Sequence, residues 1–138
     1  MIAYVDSSVI LRLVLGQARH LREWRTLDGG ATSALAEVEC LRTLDRLRIA
    51  EGLPEQQIAE RRSAVYDVLQ SLTIIELTRP ILSRAAQPLP LTLGTLDALH
   101  LASALAWREH AGDRVVLATH DARLSAAARA SGMATIGT

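Results

Sequence analysis

YVDSSVIL, residues 4–11, sets an aspartate between two apolar runs. The residues from Ile2 to Val5 have the branched and aromatic side chains that suit a pleated strand. Ser7 and Ser8 follow Asp6 as residues favoured at helix starts, and Val9, Ile10 and Leu11 continue as an apolar helix face. The stretch therefore predicts a buried strand, an aspartate, then a helix. An ionised carboxylate at the end of a buried strand costs several kcal/mol unless it is compensated. The rest of the chain has to supply the compensating group.

The same alternation repeats outward. Ser7 to Leu15 is expected to be helical with Gly16 as its break, and a short amphipathic helix follows around Leu21 to Leu27 with Gly29 and Gly30 ending it. Ala31 to Ala34 reads as a short strand or loop. The segment from Leu35 to Gly52 is a long helix, with Val38, Leu41, Leu44 and Leu47 at helical spacing and the glycine as its stop. Pro54 is expected in the first turn of the next helix, and LTIIEL, residues 72–77, has the density of β-branched residues expected of a second buried strand. Thr78 and Pro80 open another helix. AQPLPLTLG is a loop into TLDALHLASALAWREHAG, with Thr95 as N-cap and Gly112 at its end. RVVLAT is a buried strand, Asp121 caps the helix DARLSAAARASG, and MATI supplies a last short strand. Strands separated by helices imply a parallel sheet covered on both faces. The expected fold is α/β, a three-layer α/β/α sandwich around a central parallel sheet, formed as one domain over residues 1–138.

Composition limits what such a domain does. Net charge is zero and 49% of the residues are hydrophobic, which excludes a disordered tail and leaves no overall basic field, so any hold on nucleic acid must be local. All 15 basic residues are arginine, a bias that a GC-rich coding sequence explains as readily as phosphate binding does. Without Phe, and with two Trp and two Tyr, the chain lacks the aromatics of a base-stacking sheet. One cysteine allows neither an internal disulfide nor a zinc cluster. No signal-peptide pattern opens the chain and no apolar run approaches the roughly 20 residues that cross a bilayer. A cytoplasmic protein with no membrane insertion is expected.

In a parallel α/β sheet, ligands bind beyond the carboxyl ends of the strands. Asp6 follows the first strand, Asp121 follows RVVLAT, and Asp97 lies in the first turn of a helix entered from a loop. Each fits simple helix capping, but three together at one end of the sheet point to a site. Crowded carboxylates raise one another's pKa unless a hard divalent cation such as Mg²⁺ or Mn²⁺ neutralises them. A metal is thus the expected partner of Asp6. Ser8 and Thr119, each two residues from one of these aspartates, are hydroxyls placed to orient them or a water. For a fourth acid, helical periodicity prefers Glu37, nearer the middle of the Leu41, Leu44, Leu47 arc, over Glu39 beside Arg42 and Arg46.

The segments YVDSSVILRLV, TSALAEVECLRTL, LGTLDALHLASAL and VVLATHDARLSAAARASGM resemble, in order, the four signature blocks of PIN-domain ribonucleases, and specifically of VapC toxins from type II toxin–antitoxin pairs. The resemblance spans the whole chain and matches Asp6, Glu39, Asp97 and Asp121 to the family's four acids, choosing Glu39 where periodicity does not. It implies an endoribonuclease that hydrolyses phosphodiester bonds with Mg²⁺ or Mn²⁺ held by these carboxylates, tRNA or another structured RNA being the substrate. It also implies a cognate VapB-type antitoxin that covers the acidic site, and a homodimer. Two departures stand out. Gly94 occupies a place where many relatives carry a basic residue, and Glu37 is an extra acid read as structural or as an arginine's partner.

His100 and His120 adjoin the acids, but His100 lies on an otherwise apolar helix and is read as a hydrogen-bonded orienting group. Cys40 is read as a core thiol. The arginines are read first as solvated surface, although a loop and short helix would carry Arg12, Arg19, Arg22 and Arg25 toward an RNA backbone. Two other classes compete. A catalytically silent PIN-fold binding module would keep the acids as caps and bind no metal. A phosphotransfer domain of the receiver or haloacid-dehalogenase type needs an acid pair and a lysine, and this chain has Asp-Ser-Ser and no lysine.

Overall fold

A computed structural model describes residues 1–138. Five strands, β1 (Ile2–Val5), β2 (Gly29–Ser33), β3 (Thr73–Ile75), β4 (Val115–Ala118) and β5 (Thr135–Ile136), form one sheet in the order β3-β2-β1-β4-β5. Every pairing is parallel. The helices are α1 (Ser7–Val14), α2 (Leu35–Glu51), α3 (Glu55–Gln70), α4 (Arg79–Ala85), α5 (Thr95–Ala111) and α6 (Ala122–Ala130), with a 3₁₀ turn at Arg22–Thr26.

Strand alternation sorts the core onto two faces. Ala3, Val5 and Ala118 pack with Val9, Ile10, Ala36, Cys40, Leu44 and Val65 of α1, α2 and α3. Tyr4, Ala31, Val115 and Leu117 pack on the other face with Leu101 and Ala104 of α5 and Leu124, Ala127 and Ala128 of α6. A sheet buried on both faces between helices is the three-layer sandwich that the sequence predicts. The chain builds outward from β1 through β2 to β3, then crosses to β4 on the other side of β1. The carboxyl ends of β1 and β4 therefore flank the point where connections diverge, the usual position of a ligand crevice.

Local expectations fail where tertiary contacts outweigh pattern. Gly29 and Gly30 do not end a helix but open β2. A Cβ on Gly30 would meet the tip of Leu72 at 2.8 Å and the carbonyl oxygen of Ala3 at 3.1 Å, so glycine lets both pack close without shifting. LTIIEL is not a buried strand: β3 is a short edge strand with Thr73 and Ile74 exposed. In α2 the buried stripe is Ala36, Cys40 and Leu44, while Val38 is 57% exposed, so the Val38 to Leu47 arc misplaces the helix's inner face. Gly94 rather than Thr95 occupies the N-cap of α5, and Pro54 caps α3 from just outside it.

Candidate active site

Asp6 ends β1 and caps α1. It is 3% exposed and accepts three hydrogen bonds: Ser8 Oγ at 2.6 Å and Val9 N at 3.3 Å on Oδ1, and Thr119 Oγ1 at 2.6 Å on Oδ2. Both hydroxyls continue the network. Ser8 Oγ accepts the His120 amide at 3.0 Å, and Thr119 Oγ1 accepts the Asp121 amide at 3.0 Å. The turn after β1 is thereby locked to the turn after β4, one residue beyond the parallel pairing of Val5 with Ala118. Ser8 and Thr119 orient Asp6 directly. Burial nevertheless pushes the Asp6 carboxyl above its ordinary range, against the opposing effect of Ser8 and Thr119.

The remaining acids sit around this centre. Asp121 caps α6 through Oδ1, which accepts from Arg123 N at 2.8 Å and Leu124 N at 2.9 Å, leaving Oδ2 without a protein donor. Asp97, in the first turn of α5, is half-buried and caps nothing. Its carboxyl is raised first by burial, then by Asp121 and Asp6, with Glu39 adding to the same effect. The other three carboxylates therefore all bear on Asp97. Glu39 projects from α2 to His100 on α5, its Oε1 2.5 Å from Nε2. Glu37, two positions earlier, is exposed and accepts Tyr66 Oη–H at 3.1 Å rather than pairing with an arginine.

His100 is 1% exposed and bridges two groups, with Tyr4 Oη 2.7 Å from Nδ1. A carboxylate only accepts, so the Nε2 facing Glu39 carries hydrogen. Burial, followed by the nearby Asp6 charge, holds Tyr4 well above the ordinary phenol range. The phenol therefore stays protonated and donates to Nδ1, which fixes the imidazole tautomer for Glu39. Tyr4 is the residue that sequence reading passed over as strand filler. A hydroxyl on a wholly buried strand face requires a partner, and that requirement was the available signal. Cys40 is buried and its thiol is pushed up to about 12, by burial first and then by Glu39 and Asp6, which makes it a core group and not a nucleophile.

The donor set is all hard oxygen, crowded, and raised in pKa where it is buried, which is the chemistry that Mg²⁺ or Mn²⁺ accepts. As the side chains stand, no three His, Cys, Asp or Glu groups are close enough to close on one ion, with Glu39 bonded to His100 and Asp121 to its own helix.

A family model described as PIN domain matches residues 3–130, nearly the whole chain. The chain belongs to the PIN-domain family. This PIN domain is 33% identical to Ribonuclease VapC47 of Mycobacterium tuberculosis (strain CDC 1551 / Oshkosh), covering 96% of the chain and 93% of that protein. It is 34% identical to Ribonuclease VapC46 of Mycobacterium tuberculosis (strain ATCC 25618 / H37Rv), covering 96% and 95%. Among solved structures the PIN domain is similar to FitAB bound to an IR36 DNA fragment (TM-score 0.71, 18% identity, covering 99% of this chain and 94% of that one). It is also similar to VapBC2 from Rickettsia felis bound to a promoter DNA fragment (TM-score 0.69, 13% identity, covering 99% and 98%). These structural likenesses carry the fold. No helix is long and apolar enough to cross a membrane.

Proposed function

We propose that this PIN domain is a metal-dependent endoribonuclease, the toxin of a VapBC-type pair, hydrolysing phosphodiester bonds in a structured RNA such as tRNA. The observation that carries the reading is the buried Asp6, held by Ser8 and Thr119 at the carboxyl end of β1, with Asp97 raised by Asp121, Asp6 and Glu39 together. The relatives named Ribonuclease VapC support the same activity.

Asp6, Asp97, Asp121 and Glu39 would hold Mg²⁺ or Mn²⁺. When bound, such an ion lowers the pKa of water and offsets the charge that builds on a phosphodiester under attack. The protein's own part is positioning. Ser8 and Thr119 fix the Asp6 carboxylate, the α6 amides fix one oxygen of Asp121 and leave the other free, and His100 holds Glu39 by one oxygen with Oε2 unpaired. Glu39 Oε2 is then available to take a proton from water at the reacting phosphorus.

The partners follow from the same reading: RNA as substrate, a VapB-type antitoxin over the acidic end of the sheet, and a second copy of the chain, all in the cytoplasm. Leu82 and Leu91 are exposed around an apolar cavity of about 620 Å³ between α4 and α5, a surface suited to the homodimer.

The deciding experiment is cleavage of end-labelled structured RNAs, tRNA included, by purified protein with Mg²⁺ or Mn²⁺ or with EDTA, beside Asp6→Asn. Specific fragments that require the ion and disappear in the variant support the nuclease. Identical behaviour of both proteins, at ion concentrations where binding is measured, assigns the chain to the silent binding modules, in which Asp6 and Asp121 serve only as the caps that they also are.

A further inference from the structure

A cavity of about 700 Å³ opens beside the turn that carries Asp121. Its wall includes His120 and Ala122, the two neighbours of Asp121, together with Arg12 from α1, Arg19 and Arg22 from the segment after Gly16, and Gly137 after β5. Three arginines line it in a chain whose formal charge is zero. None of the three pairs with a carboxylate, although Glu23 is on the same wall. Arg12 Nη1 donates to the Arg19 carbonyl at 3.1 Å, which pins the Arg19 segment over the end of α1 and leaves the rest of the Arg12 fork free.

His120 ties the chain end to this wall, its Nδ1 donating to the Gly137 carbonyl at 2.9 Å. Gly137 makes the arrangement possible. It adopts φ +99°, and a Cβ there would meet the Thr119 carbonyl oxygen at 2.5 Å. Only glycine lets the residues after β5 come so close to the turn holding Thr119, His120 and Asp121.

We propose that this cavity binds a backbone phosphate of the RNA strand next to the bond being cut, an inference that rests on the ribonuclease reading above. Carboxylates at the reacting phosphate repel the phosphates on either side of it, and the unpaired arginines that share a wall with His120 and Ala122, the neighbours of Asp121, offset that repulsion. The planar guanidinium suits bidentate phosphate contact. The unpaired charges on the wall are guanidinium groups, which suit a phosphate of the backbone, a contact that carries no sequence information of its own.

The test uses Arg19→Ala/Arg22→Ala, with Arg114→Ala, just ahead of β4 at the opposite end of that strand, as the control. A labelled single-stranded oligoribonucleotide of mixed sequence is titrated in EDTA over a salt series. Cleavage of the RNA that the wild type cuts is measured in parallel with metal. Neither Arg19 nor Arg22 makes a side-chain hydrogen bond or ion pair, so folding is expected to be unchanged, and a thermal melt checks this. The double variant is expected to bind at least about tenfold more weakly. Its log K against log salt slope should fall by about 0.7, the share of one phosphate contact on a single strand. In cleavage, KM should rise by a similar factor with kcat little changed, and Arg114→Ala should match wild type. Wild-type affinity and slope in the double variant overturn the phosphate assignment even where the wild type cuts RNA. A double variant that binds RNA normally but releases its antitoxin overturns it too, and gives the cavity to the protein partner. A wild type that neither binds nor cuts any RNA overturns both this assignment and the ribonuclease reading.

Discussion

Replacing Tyr4 by Phe removes one oxygen from a wholly buried position and nothing else. The ring keeps its packing against Leu101, Leu117 and Leu124, so no large cavity opens. What is lost is the donor 2.7 Å from His100 Nδ1. The imidazole has no good alternative. Turning to the other tautomer would set a lone pair against Glu39 Oε1 at 2.5 Å, and keeping the present one leaves Nδ1 buried and unpaired. A buried unsatisfied acceptor costs about 1–3 kcal/mol. In a domain of this size a loss near the middle of that range lowers Tm by roughly 6–10 °C. Because His100 then holds Glu39 less firmly, cleavage should fall by about tenfold or somewhat more, the usual effect of losing a group that orients a metal ligand. Urea and thermal melts of Tyr4→Phe with EDTA give the first quantity, and single-turnover RNA cleavage gives the second. A variant as stable as wild type that cuts RNA within about twofold of its rate would refute the Tyr4, His100, Glu39 relay.

Three further outcomes are expected. The raised carboxyls of Asp6 and Asp97 favour the proton in the folded state, so their contribution to stability is fully present below the unfolded aspartate value of about 3.9 and is lost as pH rises through their higher folded values. Asp97→Asn should therefore melt above wild type in EDTA by a margin that widens from acid toward neutral pH; a margin that narrows over that range contradicts the crowding. Adding Mg²⁺ or Mn²⁺ at neutral pH should reverse the order, raising wild-type Tm by several degrees once the ion exceeds its Kd a hundredfold, about 2.7 kcal/mol, and leaving Asp97→Asn nearly unmoved. Cys40, fully buried with its thiol pushed up to about 12, should resist a thiol reagent at neutral pH in the folded protein and react at once in denaturant; fast labelling of the native protein would show that α2 opens.

Much of this molecule is legible in its sequence because local rules act there without competition. The period of strands and helices, Gly52 in the left-handed conformation after α2 and Asp121 capping α6 all follow from short-range geometry. So does the β1, Asp6, α1 unit, whose aspartate, serine and apolar residues each allow one arrangement at the end of a buried strand. The resemblance to PIN-domain ribonucleases added Glu39, which helical periodicity alone ranked below Glu37.

Tertiary structure decided what depends on which surfaces meet. The apolar run of β3 reads the same at the edge of a sheet as at its centre, and only strand order shows that Ile74 is exposed. Gly29 and Gly30 look like a helix stop until the Leu72 side chain and the Ala3 carbonyl close in on Gly30. Thr119 and Ser8 lie 111 residues apart along the chain and bond to the same carboxylate, which no spacing rule connects. Tyr4, His100 and Glu39 come from a strand and two helices, and their relay exists because β1 turns Tyr4 toward α5 while α2 reaches the same helix from the far side of the strand end. Local preference acts over a few residues and survives folding almost unchanged, whereas the partner of a buried polar group is fixed only when distant segments pack against each other.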